Sequence, residues 1–487
     1  MPDPFGFGIF CFKENREAMK IINFIFLFLS LKISVSGQEK KSYRYENDFI
    51  PSNFYIDCRN ELRDEMPDSS MAIFFSSPVR NRSNDTDYPY HQNPQFYYLT
   101  GYTEPNSLLL IFKVPIIIED KSLNEILFIP PQKKSKEIWK GRMANVTDAQ
   151  YISGIQTVFY LKSFDTLGIQ AKDFKKILYL PLPAGIADDR TDSLDLYNIV
   201  EIFKNKFSFP PSNGDSYLLS KILKKMREIK KTAEIMLMKK AISISCDGHK
   251  EMMKALKVGM REYEVEAIGE YVFKKEGAED VGYPSICGGG ENSCILHYET
   301  NRRQLKNGEL LLLDMGAEYH GYSADVTRTL PANGTFSKEQ RLIYELVLSA
   351  QDSAFTQCKP GNNFRDPHHA ATDIIKKGLL NLGIIKEEEE YHTYFMHGTS
   401  HYLGLDVHDA GTFNKLLEGN IITVEPGIYI PANSNCDPKW WNIGVRIEDD
   451  ILITKDGYEN LSVSCPSKID DIEKIMKEPP VYILPQK

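Results

Sequence analysis

Cysteine is scarce in this chain. There are eight in 487 residues, and Cys11, Cys58, Cys246, Cys287, Cys294, Cys358, Cys436 and Cys465 form no Cys-x-x-Cys pair. That excludes a disulfide scaffold and argues against a zinc ribbon. A basic arm is missing too, and the formal charge is −9, from 58 Lys and Arg against 67 Asp and Glu. A nucleic-acid partner needs a positive footprint, and none is visible. Long apolar runs are also lacking. The run Ile21 to Leu31 spans eleven residues, short of the roughly 20 that a membrane helix needs, so no stable membrane span is expected. With 42% hydrophobic residues, wholesale disorder is excluded as well. What remains is an acidic globular chain of two or three domains, the profile of an enzyme.

The Ile21–Leu31 run follows Lys20 and precedes the small, polar Ser34-Val35-Ser36-Gly37. It reads as the apolar region of a secretory leader over residues 1–37, cleaved after Gly37, with Met19 as an alternative start. A core element and an uncleaved anchor are the competing readings. Removing residues 1–37 takes away four positive and three negative charges, which moves the net charge from −9 to −10. The protein is expected to be secreted or periplasmic if the leader works, and cytoplasmic otherwise.

Short β-rich runs follow at Met71–Phe75, Ser107–Phe112, Glu125–Ile129 and Lys176–Leu180, with helical sequence between them, for example over Asp192–Phe207. Strands alternating with helices predict an α/β domain over about 43–220. Lys221–Tyr271 reads as one or two long helices, with Ile229, Ala233, Met236, Ala241 and Ile244 as the apolar stripe. A second domain, expected over 226–470, carries strands and glycine turns, with helices at Lys338–Gln357 and Asp366–Leu382.

The chemistry is concentrated in that second half. Asp314 ends the apolar run Leu310–Leu313, and Asp325 follows eleven residues later. Gly316 and Gly321 flank Glu318-Tyr319-His320 between them, so the segment reads as a hairpin that brings both aspartates together. Adjacent carboxylates repel unless a proton or cation lies between them. Glu425 ends the run Ile421–Val424, and Glu448 ends Val445-Arg446-Ile447. His397, His401 and His408 fall within twelve residues of one another; the His397–His401 spacing would suit a metal on a helix, but a loop or strand fits the sequence equally well. Four strand-end carboxylates and an imidazole form a hard donor set suited to Mn²⁺, Fe²⁺, Co²⁺ or Zn²⁺. Charge counting favours two divalent ions, with a bound hydroxide as nucleophile.

The segments Leu313–Pro331, His397–Asp409, Thr423–Ile430 and Gly444–Asp450 resemble the pita-bread metallopeptidases, and within them the Xaa-Pro aminopeptidases (aminopeptidase P). Phe96–Pro105 and Glu137–Arg142 are similar to the N-terminal domain of that group. The resemblance implies an α/β N-terminal domain followed by an α+β pita-bread catalytic domain. It implies two metal ions, Mn²⁺ foremost, on Asp314, Asp325, His401, Glu425 and Glu448, with Asp325 and Glu448 bridging. It makes Glu425 the general base, puts His297 near the scissile amide, gives His408 the tetrahedral intermediate and places His397 in the substrate pocket. Arg446 is expected to orient Glu448, since the two share a strand face. Gln95 departs from the group's pattern, where an acid is frequent. The implied substrates are peptides with proline second, and the implied assembly is a homodimer or homotetramer. A dipeptide-specific prolidase is the alternative function, and a metal-free peptide-binding module a more distant one.

Overall fold

The computed structural model describes residues 44–189 and 192–481; the leader expected over 1–37 lies outside them. Residues 44–48, grouped with the chain before them, contain no helix or strand. Phe49–Lys487 forms one compact unit. Among the described residues no helix is long and apolar enough to cross a membrane, and all seven described cysteines are free thiols.

The first part of this unit is built on a mixed six-stranded sheet. Its strands run, side by side, Val158–Tyr160, Lys121–Ile129, Leu108–Ile118, Ser70–Phe75, Lys176–Tyr179 and Gly214–Asp215. The central strands read as unbroken hydrophobe because both of their faces are covered. Met71, Ile73 and Phe75 pack with Leu108, Leu110 and Phe112 on one face, against Ile199, Val200, Phe203 and Phe207. Those last four belong to the helix Leu196–Phe207. The helix starts at Leu196 rather than at Asp192 because the Asp195 carboxylate accepts the Asn198 N–H and caps it.

Three helices, not one or two, follow: Ser216–Glu228, Thr232–Ala255 and Glu262–Lys275. The second break contains Gly259, whose φ of +93° is open to glycine and strained for other residues. The expected apolar stripe is also corrected. Met236 is 67% exposed and Ile229 lies in the first break, whereas Leu237, Met238, Ala241, Ile242 and Ile244 are buried. Polar Glu234, Ser245 and His249 share that buried face and bond to Tyr322, Ala317 and Met315, which hides the period.

Two long hairpins carry most of the strands that follow. In the first, Leu310–Asp314 pairs antiparallel with Thr327–Pro331, and Ala317–Tyr319 with Tyr322–Ser323. Both pieces keep one register, joined by the Met315 N–H to Val326 and Ala324 N–H to Ala317 bonds. The turn is His320-Gly321, both at positive φ, as a two-residue hairpin loop requires. In the second hairpin Ile421–Val424 pairs with Asp449–Thr454, and Gly427–Ile430 with Ile443–Arg446. The register again runs unchanged through the gap, where Ile447 N–H reaches the Pro426 carbonyl. Thr232–Ala255 and Glu262–Lys275 pack together beside the first hairpin, and Lys338–Phe355 and Asp366–Asn381 pack together beside the second.

Gly316 lies in the interruption of the first hairpin, opposite Asp325. A Cβ at this position would sit 1.8 Å from the Ala324 carbonyl oxygen, and backbone cannot step aside cheaply. Gly316→Ala should therefore lower stability by about 3 kcal/mol. Gly457→Ala, where a Cβ meets nothing within 4 Å, serves as the control. Urea unfolding of both variants tests this; equal stability of the two would refute the crowding.

Candidate metal centre

Each hairpin loses its ladder at one point, and the acids stand at these points. Asp314 is the last residue of its strand and faces Thr327, with Asp325 two residues before Thr327. In the second hairpin the continued register sets Glu425 opposite Glu448. The Glu448 N–H bonds the Thr327 carbonyl, which stitches the two hairpins together. Backbone groups freed by the interruption are satisfied from outside. Gln351 Nε2 donates to the carbonyls of Val424 and Ile447, at 3.0 and 3.2 Å. Buried Arg328 donates to the Thr327 and Glu448 carbonyls and to Asp449.

The segment His397–Asp409 is neither helix nor free loop. From Thr399 to Leu403 it runs extended beside Ile421–Val424, with Thr423 N–H on the His401 carbonyl and Glu425 N–H on that of Thr399. His401 Nδ1 lies 3.0 Å from the Tyr402 carbonyl. A carbonyl only accepts, so Nδ1 carries the proton and Nε2 keeps its lone pair. That Nε2 stands 3.4 Å from Asp325 Oδ2 and 3.7 Å from Glu425 Oε1. Ligand atoms of Asp325, His401 and Glu448 all lie within 4.8 Å of one another.

A cavity of about 490 Å³ opens onto this cluster. Asp314, Asp325, His401, Glu425, Glu448, His297, His397 and His408 all line it. The His408 ring stands nearly perpendicular to that of His401, 4.4 Å away. Gln95 does not line it; it sits in the first turn of the helix Pro94–Thr100, its side-chain oxygen buried without a partner among the described residues.

The electrostatics are those of too many acids in too little water. Burial raises Asp314, but the Arg446 guanidinium, 2.5 Å from its Oδ2, and the Tyr283 hydroxyl hold it below the usual carboxylate range. Burial and the Asp314 charge push Asp325 well above that range, and burial with Asp325 and Asp314 does the same to Glu448. Burial and Glu448 push Glu425 up to about 8. Four carboxylates face one arginine, and a shared proton or a cation must supply the rest. Oxygen-rich donors with one imidazole lone pair fit hard or borderline divalent ions.

Arg446 pairs with Asp314 rather than with Glu448, which it influences only through its charge. It joins Asp314 to Tyr429, whose hydroxyl receives the Arg446 Nη1 proton at 2.8 Å and donates to His397 Nε2 at 2.8 Å. Glu448 is held instead by the Thr327 hydroxyl at 2.6 Å. Tyr283, which reaches both Asp314 and Asp325 at 2.6 and 2.5 Å, stands in no motif, and Tyr429 lies within the segment Thr423–Ile430 without being singled out there. Asp450, two residues after Glu448, accepts the Asp325 N–H and fixes its backbone.

Comparison with known proteins identifies the family. Residues 236–455 match the model of metallopeptidase family M24, and residues 55–178 that of the aminopeptidase P N-terminal domain. The chain is 36% identical to the Xaa-Pro aminopeptidase of Haemophilus influenzae, over 88% of this chain and 98% of that protein. This chain belongs to metallopeptidase family M24. Among solved structures it is similar to the Escherichia coli aminopeptidase P bound to the inhibitor Pro-Leu, with a TM-score of 0.78, 32% identity, and 88% and 98% of the two chains covered. Proline aminopeptidase P II from Yersinia pestis matches at TM-score 0.78 and 34% identity, over 88% and 99%. The M24 fold thus follows an α/β N-terminal sheet in this chain, the arrangement expected from the sequence.

The segment that carries His408 is anchored by its neighbour. Asp409 is buried between Arg227 and Lys230, with its Oδ2 2.7 Å from Lys230 Nζ and its Oδ1 on Arg227. Against burial, the two cations hold Asp409 below the usual carboxylate range. A depressed folded value adds stability above the unfolded pKa of about 4, which is lost as pH falls through the folded one. Asp409→Asn should cost about 3–5 kcal/mol at pH 7. Urea unfolding from pH 7 downwards should show that gap closing below about pH 4; a gap independent of pH would refute the charge pairing.

Proposed function

We infer that this chain is a metal-dependent aminopeptidase that releases the N-terminal residue from peptides with proline in second position. We assign Asp314, Asp325, His401, Glu425 and Glu448 as ligands of two divalent ions, Mn²⁺ foremost, with Zn²⁺, Co²⁺ and Fe²⁺ as the alternatives. The observation that carries this is the convergence of four strand-end carboxylates and the His401 lone pair on one cavity. Bound there, the cations would supply Lewis-acid polarisation of the scissile carbonyl and an acidified water, and would keep the four acids ionised.

The chain's own side chains would do the rest. Glu425 takes the proton of the attacking water and returns it to the proline nitrogen as the C–N bond breaks. That return is required, because an amide nitrogen leaves as a neutral amine only if it gains a proton as the C–N bond breaks. Burial holds His408 below the ordinary histidine value, and it donates an N–H to the developing oxyanion. His297 lies on the cavity wall, where it can meet the scissile amide. His397, which burial and Arg446 hold down at about 4, is a neutral wall of the substrate pocket. Its Nδ1–H is on the Gly398 carbonyl and its Nε2 is taken by Tyr429.

Glu425→Gln should leave the fold and the bound metal intact while kcat drops by about 10²–10⁴. Metal content by mass spectrometry and hydrolysis of Ala-Pro-Ala check this, and substantial turnover with metal bound would remove Glu425 as the base. A chelator should abolish wild-type activity and Mn²⁺ should restore it. Cleavage of Ala-Pro alone, with no cleavage of Ala-Pro-Ala, would identify a prolidase instead.

A further inference from the structure

A second cavity, of about 730 Å³, lies beside the first. Gly398, Ser400 and Phe413 line both, so the shared wall ends one residue before His401. The two cavities differ in fixed charge. The first is lined by the four acids above together with Glu299, Arg446 and four histidines, whereas the second presents Arg365, Lys376, His368 and His369 against one carboxylate, Asp373. Most of these stand on the helix Asp366–Asn381, and Lys376 Nζ is held 4.9 Å from the centre of the Tyr391 ring. Burial and the charges of His369 and Arg365 lower His368 from its ordinary value, as a cationic surrounding should.

The cavity also contains unsatisfied donors. Thr372 is 5% exposed, and its hydroxyl has no hydrogen-bond partner among the described residues; nor does the buried hydroxyl of Ser400. Buried groups left unpaired are costly, and a ligand with acceptor oxygens would relieve both. Arg365 and Lys376 give that ligand its charge.

We propose that this second cavity receives the leaving part of the peptide and selects a carboxylate, through Arg365 and Lys376 with the Thr372 and Ser400 hydroxyls. The assignment rests on the aminopeptidase reading. A peptide carries an ammonium at one end and a carboxylate at the other. The basic cavity would attract the carboxylate and repel the ammonium, and so would orient the peptide with its carboxylate end towards the helix Asp366–Asn381. The carboxylate is the C-terminus of a short peptide or an acidic side chain beyond the proline of a longer one.

The test compares Ala-Pro-Ala with its C-terminal amide, and Ala-Pro-Ala-Glu-amide with Ala-Pro-Ala-Gln-amide. For the wild-type enzyme KM should be about tenfold lower for the carboxylate member, with kcat nearly unchanged. A preference in the first pair identifies the C-terminus as the source, and in the second pair the side chain. The double variant Arg365→Gln, Lys376→Met should lose the preference and still hydrolyse the amides at the wild-type rate. No preference in either pair, or a preference kept by the double variant, overturns the proposal. Calorimetric binding of the same peptides to Glu425→Gln separates the two levels. A carboxylate preference in binding, with no wild-type hydrolysis of any of them, would sink the aminopeptidase reading and keep the pocket; hydrolysis without preference would do the reverse.

Discussion

Mutual repulsion among four buried carboxylates is the constraint on which the rest of this structure depends. Asp314, Asp325, Glu425 and Glu448 line one cavity, and Arg446 neutralises one of them directly. Such a cluster is unstable by itself, because each charge loses water and gains like neighbours. The backbone around it must therefore be held by interactions that do not involve the acids themselves. Arg328 meets this need. It is fully buried, and its donors reach the carbonyls of Thr327, Glu448, Cys465 and Pro466 as well as the Asp449 carboxylate. The strand end that presents Glu448 is fixed whether or not a cation is bound.

The geometry that gathers the acids is economical. A continuous β-ladder points successive side chains to opposite faces and spends every backbone group on its neighbour. Interrupting two hairpins without shifting their register lets residues on paired strands converge on one cavity. The interruption leaves carbonyls without strand partners, and a partner must come from another element. Gln351, from the helix Lys338–Phe355, bonds the carbonyls that precede Glu425 and Glu448. The helices beside the hairpins thus do more than cover apolar surface: one of them completes the hydrogen bonding of the site.

What the sequence made legible follows from contrast. An acid that ends an unbroken apolar strand, as at Asp314 and Glu425, stands out because a buried strand tolerates hydrophobes on both faces. Two such signals in one half of a chain raise the question of a cation before any fold is known. The partners of these acids were not legible. Arg446 and Asp314 are 132 positions apart, and strand alternation suggested Glu448, the nearer acid, as the partner of Arg446. Tyr283 has no pattern around it at all. The stripe on Thr232–Ala255 was misread for a related reason. Its buried face includes Glu234, Ser245 and His249, each satisfied by a residue distant in sequence, so hydrophobicity alone found Ala241 and Ile244 but took exposed Met236 with them.

The histidines show how the same polypeptide can prepare one residue type for different work. At both His397 and His401 a backbone carbonyl, from the very next residue, takes the Nδ1 proton. Each ring is thereby committed to the tautomer with its lone pair on Nε2. What differs is the environment of that lone pair. At His401 it faces Asp325 and Glu425 in the cavity, where a cation is wanted. At His397 it is already occupied by the Tyr429 hydroxyl, which Arg446 polarises from the other side. A histidine so engaged has no lone pair to offer a metal without breaking the chain from Asp314 through Arg446 and Tyr429. The difference between an open and an occupied Nε2 therefore lies outside both histidines, in the arginine that also answers the repulsion of the acids.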